Sequence, residues 1–324
     1  MVFKYLLVSF CLFFCLSELA LSQRTETAVD FSSKKNRLVF EMDNDMLFST
    51  DSYYTAGVGL ACTHKNLKKT PAQLILRPKS KDAITFTGLG IRQRIFTPSS
   101  ITKPEEIVND QPYSAFILAT NYTVIINHSK HLKISNEIGV GVMGPAAKGE
   151  EVQTFVHEIV GSPIPQGWDK QLQNTFLIDY DFRLEKGFGG EWLANHVSPF
   201  VGARVGTLTN RVQIGIMFKL GNKHKFLLSN QDLVKLNKKL IWDWTFSTNF
   251  QGVLYDATLQ GSLFNDDPNA LHKSQTTSHQ IQLRTGFNLY YQNITIRYML
   301  NFNSATFDAA VYHRYGGINI GYSF

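Results

Sequence analysis

In the stretch GPAAKGEEVQTFVHEIVG, residues 144–161, Gln153 and His157 stand four residues apart. The apolar residues Val152, Phe155, Val156 and Ile159 recur around them at spacings of three and four, which predicts a short helix with the glutamine and histidine on one face. A histidine held there has the chemistry of a general base near neutral pH, although a lone surface histidine is more often simply solvated. A second group is Asp43-Asn44-Asp45, two carboxylates and an amide within three residues. Hard cations such as calcium take oxygen ligands of this kind, and an ordinary polar strand end offers the same residues. Ser114 in PYSAF is the nearest approach to a nucleophilic serine. No nucleophile elbow, Walker loop, HExxH or CxxC pair accompanies it, so a serine hydrolase is not indicated.

The elements that must position these residues are almost all strands. In LIWDWTFSTNF, Leu240, Trp242, Trp244, Phe246 and Phe250 share one face against Asp243, Thr245, Ser247 and Asn249. The same period of two runs through Val212–Leu220, Ile281–Tyr291 and Ile294–Phe302. Strands of about ten residues with apolar-out, polar-in alternation are what a transmembrane barrel requires, because lipid offers no hydrogen bonds to the backbone. The pattern predicts twelve strands, at 37–45, 53–65, 84–96, 113–126, 132–143, 171–188, 198–207, 211–221, 239–256, 279–291, 293–304 and 313–324. The fold class is therefore an all-β, antiparallel transmembrane barrel with one short helix on its extracellular side. The connections 66–83 and 222–238 are long for periplasmic turns, and the second is expected to contain a short helix.

The ends agree with this. Lys4, an apolar run from Tyr5 to Leu16 and then Ala20-Leu21-Ser22 have the order of a signal peptide over 1–22, leaving 23–324 as a single barrel domain. The run falls short of the ~20 residues a spanning helix needs. Cys11 and Cys15 leave with that leader, so Cys62 has no partner for an internal disulfide. At the other end GGINIGYSF sets Ile318, Ile320, Tyr322 and Phe324 on one face, and a last strand ending in phenylalanine resembles the signal read by the bacterial outer-membrane assembly machinery. The net charge of +6 suits an anionic partner, whether phosphorylated lipid, nucleic acid or acidic glycan, and does not choose among them.

With a periplasmic N-terminus, the strand ends near residues 44, 97 and 143 are extracellular, so the DND group, Thr55 and the helix gather at one rim. Asp43 and Asp45 share the lumen parity of Glu41, whereas Asn44 shares the parity of Phe40 and Met42 and is expected beyond the lipid boundary or at a bulge. Thr55 shares parity with Tyr53 and Gly57 and is expected to point inward.

DND on strand 1, TDSYYTAG on strand 2, DQPYSAF on strand 4 and GPAAKGEEVQTFVHEIVG with the following GWDKQLQN resemble, in that order, the outer-membrane lipid A 3-O-deacylases. The resemblance spans essentially the whole chain after the leader. It implies calcium dependence and hydrolysis of the ester that holds the 3′-acyloxyacyl chain of lipid A, at the extracellular side of the bacterial outer membrane, with lipopolysaccharide as substrate. It implies His157 as general base, with Asn44, Asp45, Thr55 and Gln153 in the catalytic set. Asp45 and Asp43 would serve the metal, and Lys103 in the loop after strand 3 the substrate. The family's acidic residue shortly after the helix has no counterpart in GSPIP. The alternatives are a non-catalytic barrel, either a small porin or an inactive relative, and an outer-membrane phospholipase.

Overall fold

The computed structural model describes residues 36–45, 52–78, 83–103, 109–221 and 240–324. The expected leader and the 222–238 connection lie outside the described residues. Twelve antiparallel strands close on one another, each paired with its sequence neighbours and β1 with β12. They are β1 Arg37–Asn44, β2 Tyr53–Thr63, β3 Ala83–Thr97, β4 Ser114–Asn127, β5 Leu132–Met143, β6 Thr175–Lys186, β7 Val197–Gly206, β8 Thr209–Gly221, β9 Ile241–Asp256, β10 His279–Tyr291, β11 Ile294–Asn303 and β12 His313–Ser323. Among the described residues four short α-helices interrupt them: α1 Pro71–Ile75, α2 Gly149–Val160, α3 Glu191–His196 and α4 Ala257–Gln260. No described helix is long and apolar enough to cross a membrane.

The barrel is built inside out relative to a water-soluble protein. Val212, Ile214 and Leu220 of β8 and Trp242, Trp244 and Phe246 of β9 are exposed on the outer wall, while Arg211, Gln213, Thr245 and Asn249 are buried in the lumen. Water would oppose so much exposed apolar surface, and a hydrocarbon surround removes that cost. Inside, charges are paired across strands: Arg92 to Glu137 at 2.6 Å, Arg204 to Asp179 at 3.0 Å and Lys133 to Glu185 at 3.6 Å.

Two apolar clusters interrupt this polar interior. Val39, Ala61, Phe86, Tyr122, Val124 and Ile126 pack together toward the rim that carries the chain ends. Phe116, Leu118, Met143, Leu172, Leu177, Leu208, Tyr255 and Ala257 pack toward the opposite rim, which bears the longer loops. Their positions fill lumen space that a water-filled pore would need.

Candidate active site at the outer wall

The helix α2 sits on the loop rim, against the outside of the wall and not over the mouth. Its start is pinned by Gln93 of β3, whose Nε2 donates to the carbonyl of Ala147 at 2.6 Å. Gln93 lies on the outward parity of Ile91 and Ile95, so a polar side chain on the apolar face marks where the helix docks. Gly149 permits the close approach: a Cβ there would fall 2.4 Å from the Ala115 Cβ and 2.7 Å from the Trp168 ring. Val152 packs against a buried cluster of Ile95, Ile101, Tyr113, Ala115, Ala147 and Trp168. At the exposed edge Lys148 Nζ donates to Glu151 at 2.6 Å, which holds the Glu151 carboxyl below its usual range and lifts the ammonium above its own.

Three faces of α2 have different surroundings. Gly149, Gln153 and His157, spaced by four, are buried. Phe155 and Ile159 lie on another side and are 61% and 41% exposed, beside a barrel wall that is itself apolar. Glu150, Glu151 and Glu158 are exposed on the third. This is the segregation of a helix lying at a membrane surface.

The helix ends at Gly161, which adopts φ +75° and donates its N–H to the His157 carbonyl at 2.9 Å, joined there by Ser162 N–H at 3.0 Å. A left-handed residue at this cap reverses the chain and is most easily glycine. The reversal brings the Pro163 carbonyl to 2.6 Å from His157 Nδ1. A carbonyl oxygen only accepts, so Nδ1 carries the proton and the neutral ring keeps its basic lone pair on Nε2. Gln153 Oε1 accepts from Trp168 Nε1 at 2.9 Å, and Trp168 in turn packs against Tyr113 with ring centres 4.7 Å apart and the rings tilted by 42°.

Thr55 is the residue whose placement differs from expectation. The β2–β3 register slips between Tyr54 and Ala56. Tyr54 turns inward, its hydroxyl donating to Asp43 Oδ2 at 2.5 Å. Thr55 faces outward instead, its hydroxyl 2.6 Å from that of Thr97, a residue on the outward parity of Ile95. The extra residue of a bulge shifts the alternation by one, and parity counted along an unbroken strand therefore put Thr55 on the wrong side. Asn44 has outward parity, pairs with Ala56 next to Thr55 and shares the outer wall with it. Asp45 just beyond is buried, gives its N–H to the Thr55 carbonyl at 3.2 Å and accepts from Ser52 N–H at 3.0 Å.

Asn44, Thr55 and Thr97 thus stand on the outer wall, and Ile95, two residues before Thr97, belongs to the cluster that seats the Gln153–His157 helix. Asp43 is turned to the other side, within 3.6 Å of Arg94. Lys103 is exposed two residues past Ile101, in the loop whose Ile101 carbonyl accepts from Gln166 N–H at 2.7 Å. Trp168, Gln93, Thr97 and the Pro163 carbonyl were not singled out by type or spacing, and of these only the out-of-place polarity of Gln93 and Thr97 could have signalled them. Among the described residues no three His, Cys, Asp or Glu side chains gather around one point. A cation here would be held by the Asp45 carboxylate with neutral amide, hydroxyl and water oxygens, a set that suits a hard ion.

A closed twelve-stranded barrel with an apolar outer belt and a polar, partly apolar-filled lumen is an outer-membrane β-barrel protein. Residues 6–324 match the family described as outer membrane protein LpxR, and the chain belongs to that family, the lipid A 3-O-deacylases of the bacterial outer membrane. Among solved structures it is similar to LpxR from Salmonella typhimurium, at TM-score 0.71 and 21% identity, covering 89% of this chain and 100% of that one. The beta domain of the Bordetella autotransporter BrkA also aligns, at TM-score 0.46 and 8% identity over 89% of this chain and 98% of that one. No curated protein matches.

Proposed function

We propose that this protein hydrolyses the ester holding the 3′-acyloxyacyl chain of lipid A, at the extracellular face of the outer membrane, with water activated by His157. The observation that carries the proposal is the His157–Pro163 hydrogen bond, which sets the tautomer a general base needs on the buried face of a helix lying against the lipid-facing wall. Lipid A lies in the membrane plane, so a site on the outer wall, flanked by exposed Phe155 and Ile159, suits a substrate that arrives sideways.

In this scheme Nε2 of His157 takes a proton from water as the water oxygen bonds to the ester carbonyl carbon. The carbonyl oxygen gathers negative charge, toward which Asn44 and Thr55 are assigned. When the tetrahedral species collapses, the C–O bond to the glucosamine 3-hydroxyl breaks and His157 returns its proton to that oxygen. The products are the free acyloxyacyl acid and the sugar with its 3′-hydroxyl restored, and no acyl-enzyme forms. Calcium, held by Asp45 with the neighbouring neutral oxygens, would supply positive charge at the oxyanion. Gln153, bonded to Trp168, acts as a positioning residue for the helix face, and Lys103 is assigned to a substrate phosphate. The filled lumen counts against a porin.

The test is mass spectrometry of lipid A from cells expressing the chain or its His157→Ala variant, with phospholipid hydrolysis measured in parallel. Loss of the 3′-acyloxyacyl mass with the native chain alone is the expected result. Unchanged lipid A with a folded native barrel, or release of fatty acid from phospholipid alone, would overturn it.

A further inference from the structure

On the inner side of the same wall the lumen holds a cavity of about 160 Å³ that the scheme above does not use. Tyr54 lines it while Thr55 faces the other way, so the two regions are back to back. Four guanidinium groups border it, those of Arg92, Arg94, Arg204 and Arg211. Each is matched by an acid: Glu137 at 2.6 Å, Asp43 at 3.6 Å, Asp179 at 3.0 Å and Asp181 at 3.5 Å. Asp256 adds an acceptor at the cavity wall. The charge is therefore balanced locally, which removes the field that would draw a phosphate.

What remains is a mixture of directional donors and acceptors. Gln251 Nε2 donates to Gln280 Oε1 at 2.7 Å, and Gln282 Nε2 to Asn303 Oδ1 at 2.8 Å. Among the described residues Arg94 Nη2 and Arg204 Nε are buried without a hydrogen-bond acceptor, and a ligand hydroxyl oxygen would supply one. Between the polar groups stand the rings of Tyr54, Phe96 and Phe116, with Tyr54 and Phe96 centred 5.3 Å apart. At about 30 Å³ per water the space equals roughly five waters, the size of one pyranose ring. A pyranose offers hydroxyls that both donate and accept, in one plane, and C–H faces that lie against rings.

We infer that this cavity is a binding site for an uncharged monosaccharide unit, entered from the loop rim beside Val311, which lines it and is 62% exposed. The inference stands apart from the deacylase proposal, since it involves the opposite side of the wall.

The test uses the full chain refolded in a sugar-free zwitterionic detergent, titrated calorimetrically with glucose, N-acetylglucosamine, galactose and inorganic phosphate. One or more of the sugars is expected to bind saturably, at one per chain. Gln280→Leu is expected to weaken that binding about tenfold, the loss of a hydrogen bond in a closed site. Arg211→Lys, which keeps the charge opposite Asp181 but loses the planar fork, provides the second variant should the first not fold, with the heat-dependent gel shift of a folded barrel as control. Absence of saturable sugar binding, tighter binding of phosphate than of any sugar, or sugar binding unchanged in both folded variants would overturn the inference.

Discussion

His157 and Pro163, six residues apart, are joined by a hydrogen bond of 2.6 Å from Nδ1 to the carbonyl oxygen. The acidic residue that the family resemblance sets shortly after the helix has no counterpart in GSPIP. A backbone carbonyl can meet the orienting half of such a role, because it accepts the Nδ1 proton and holds the ring in place. It carries no charge, so it does not stabilise the imidazolium as a carboxylate would.

Replacing His157 with alanine is expected to lower deacylation by about 10²- to 10⁴-fold, the range for loss of a general base. Release of fatty acid from detergent-dispersed lipid A checks this, and a His157→Ala variant that keeps the native rate would remove His157 from the role of base.

Gly161→Val tests the cap that brings Pro163 back. Nothing lies within 4 Å of a Cβ at this position, so the only penalty is the left-handed backbone at φ +75°, on the order of 1–2 kcal/mol. Activity should fall while the barrel stays intact by its gel shift. Full activity in the variant would mean the cap does not govern the ring.

Gly149→Leu should act on helix seating. Its side chain meets Ala115 and Trp168 and forces α2 off the wall, with the strands unaffected. Hydrogen exchange is expected to rise in α2 and to stay constant in β3 and β4, with loss of activity. Trp168→Phe should act in the same direction more weakly, by about 1 kcal/mol for the hydrogen bond to Gln153 Oε1.

Chelation of calcium is expected to abolish activity without unfolding the barrel, and Asp45→Asn to shift the calcium requirement to higher concentration. Asp43→Asn should instead disturb the Tyr54 and Arg94 contacts of the inner wall and alter stability. A calcium requirement that moves with Asp43 and not with Asp45 would reverse the metal assignment.

The strands were legible because lipid outside and water inside impose opposite demands on alternate residues, as in the exposed Trp242 and Trp244 against the lumen-facing Thr245. The observed strands fall within a few residues of those expected from that alternation, with β6 the widest departure at its start. The helix was legible too, from the 3.6-residue recurrence of Val152, Phe155, Val156 and Ile159. Even the lipid-side parity of Asn44 was there to be counted. These are local patterns, repeated along the chain and set by the solvent on each side.

The site itself depended on events that leave no local trace. One extra residue between Tyr54 and Ala56 moved Thr55 to the outer wall, and a bulge is fixed by how a strand meets both neighbours and not by its own residues. That α2 lies against the wall, with Gly149 on Ala115, depends on the missing Cβ meeting a partner 34 residues away in sequence. The carbonyl that orients His157 belongs to a proline whose side chain says nothing about it. Sequence alone determined which elements form and which face of each meets lipid. The tertiary structure decided which side of the wall carries the chemistry, because that follows from register and close packing between segments far apart in the chain.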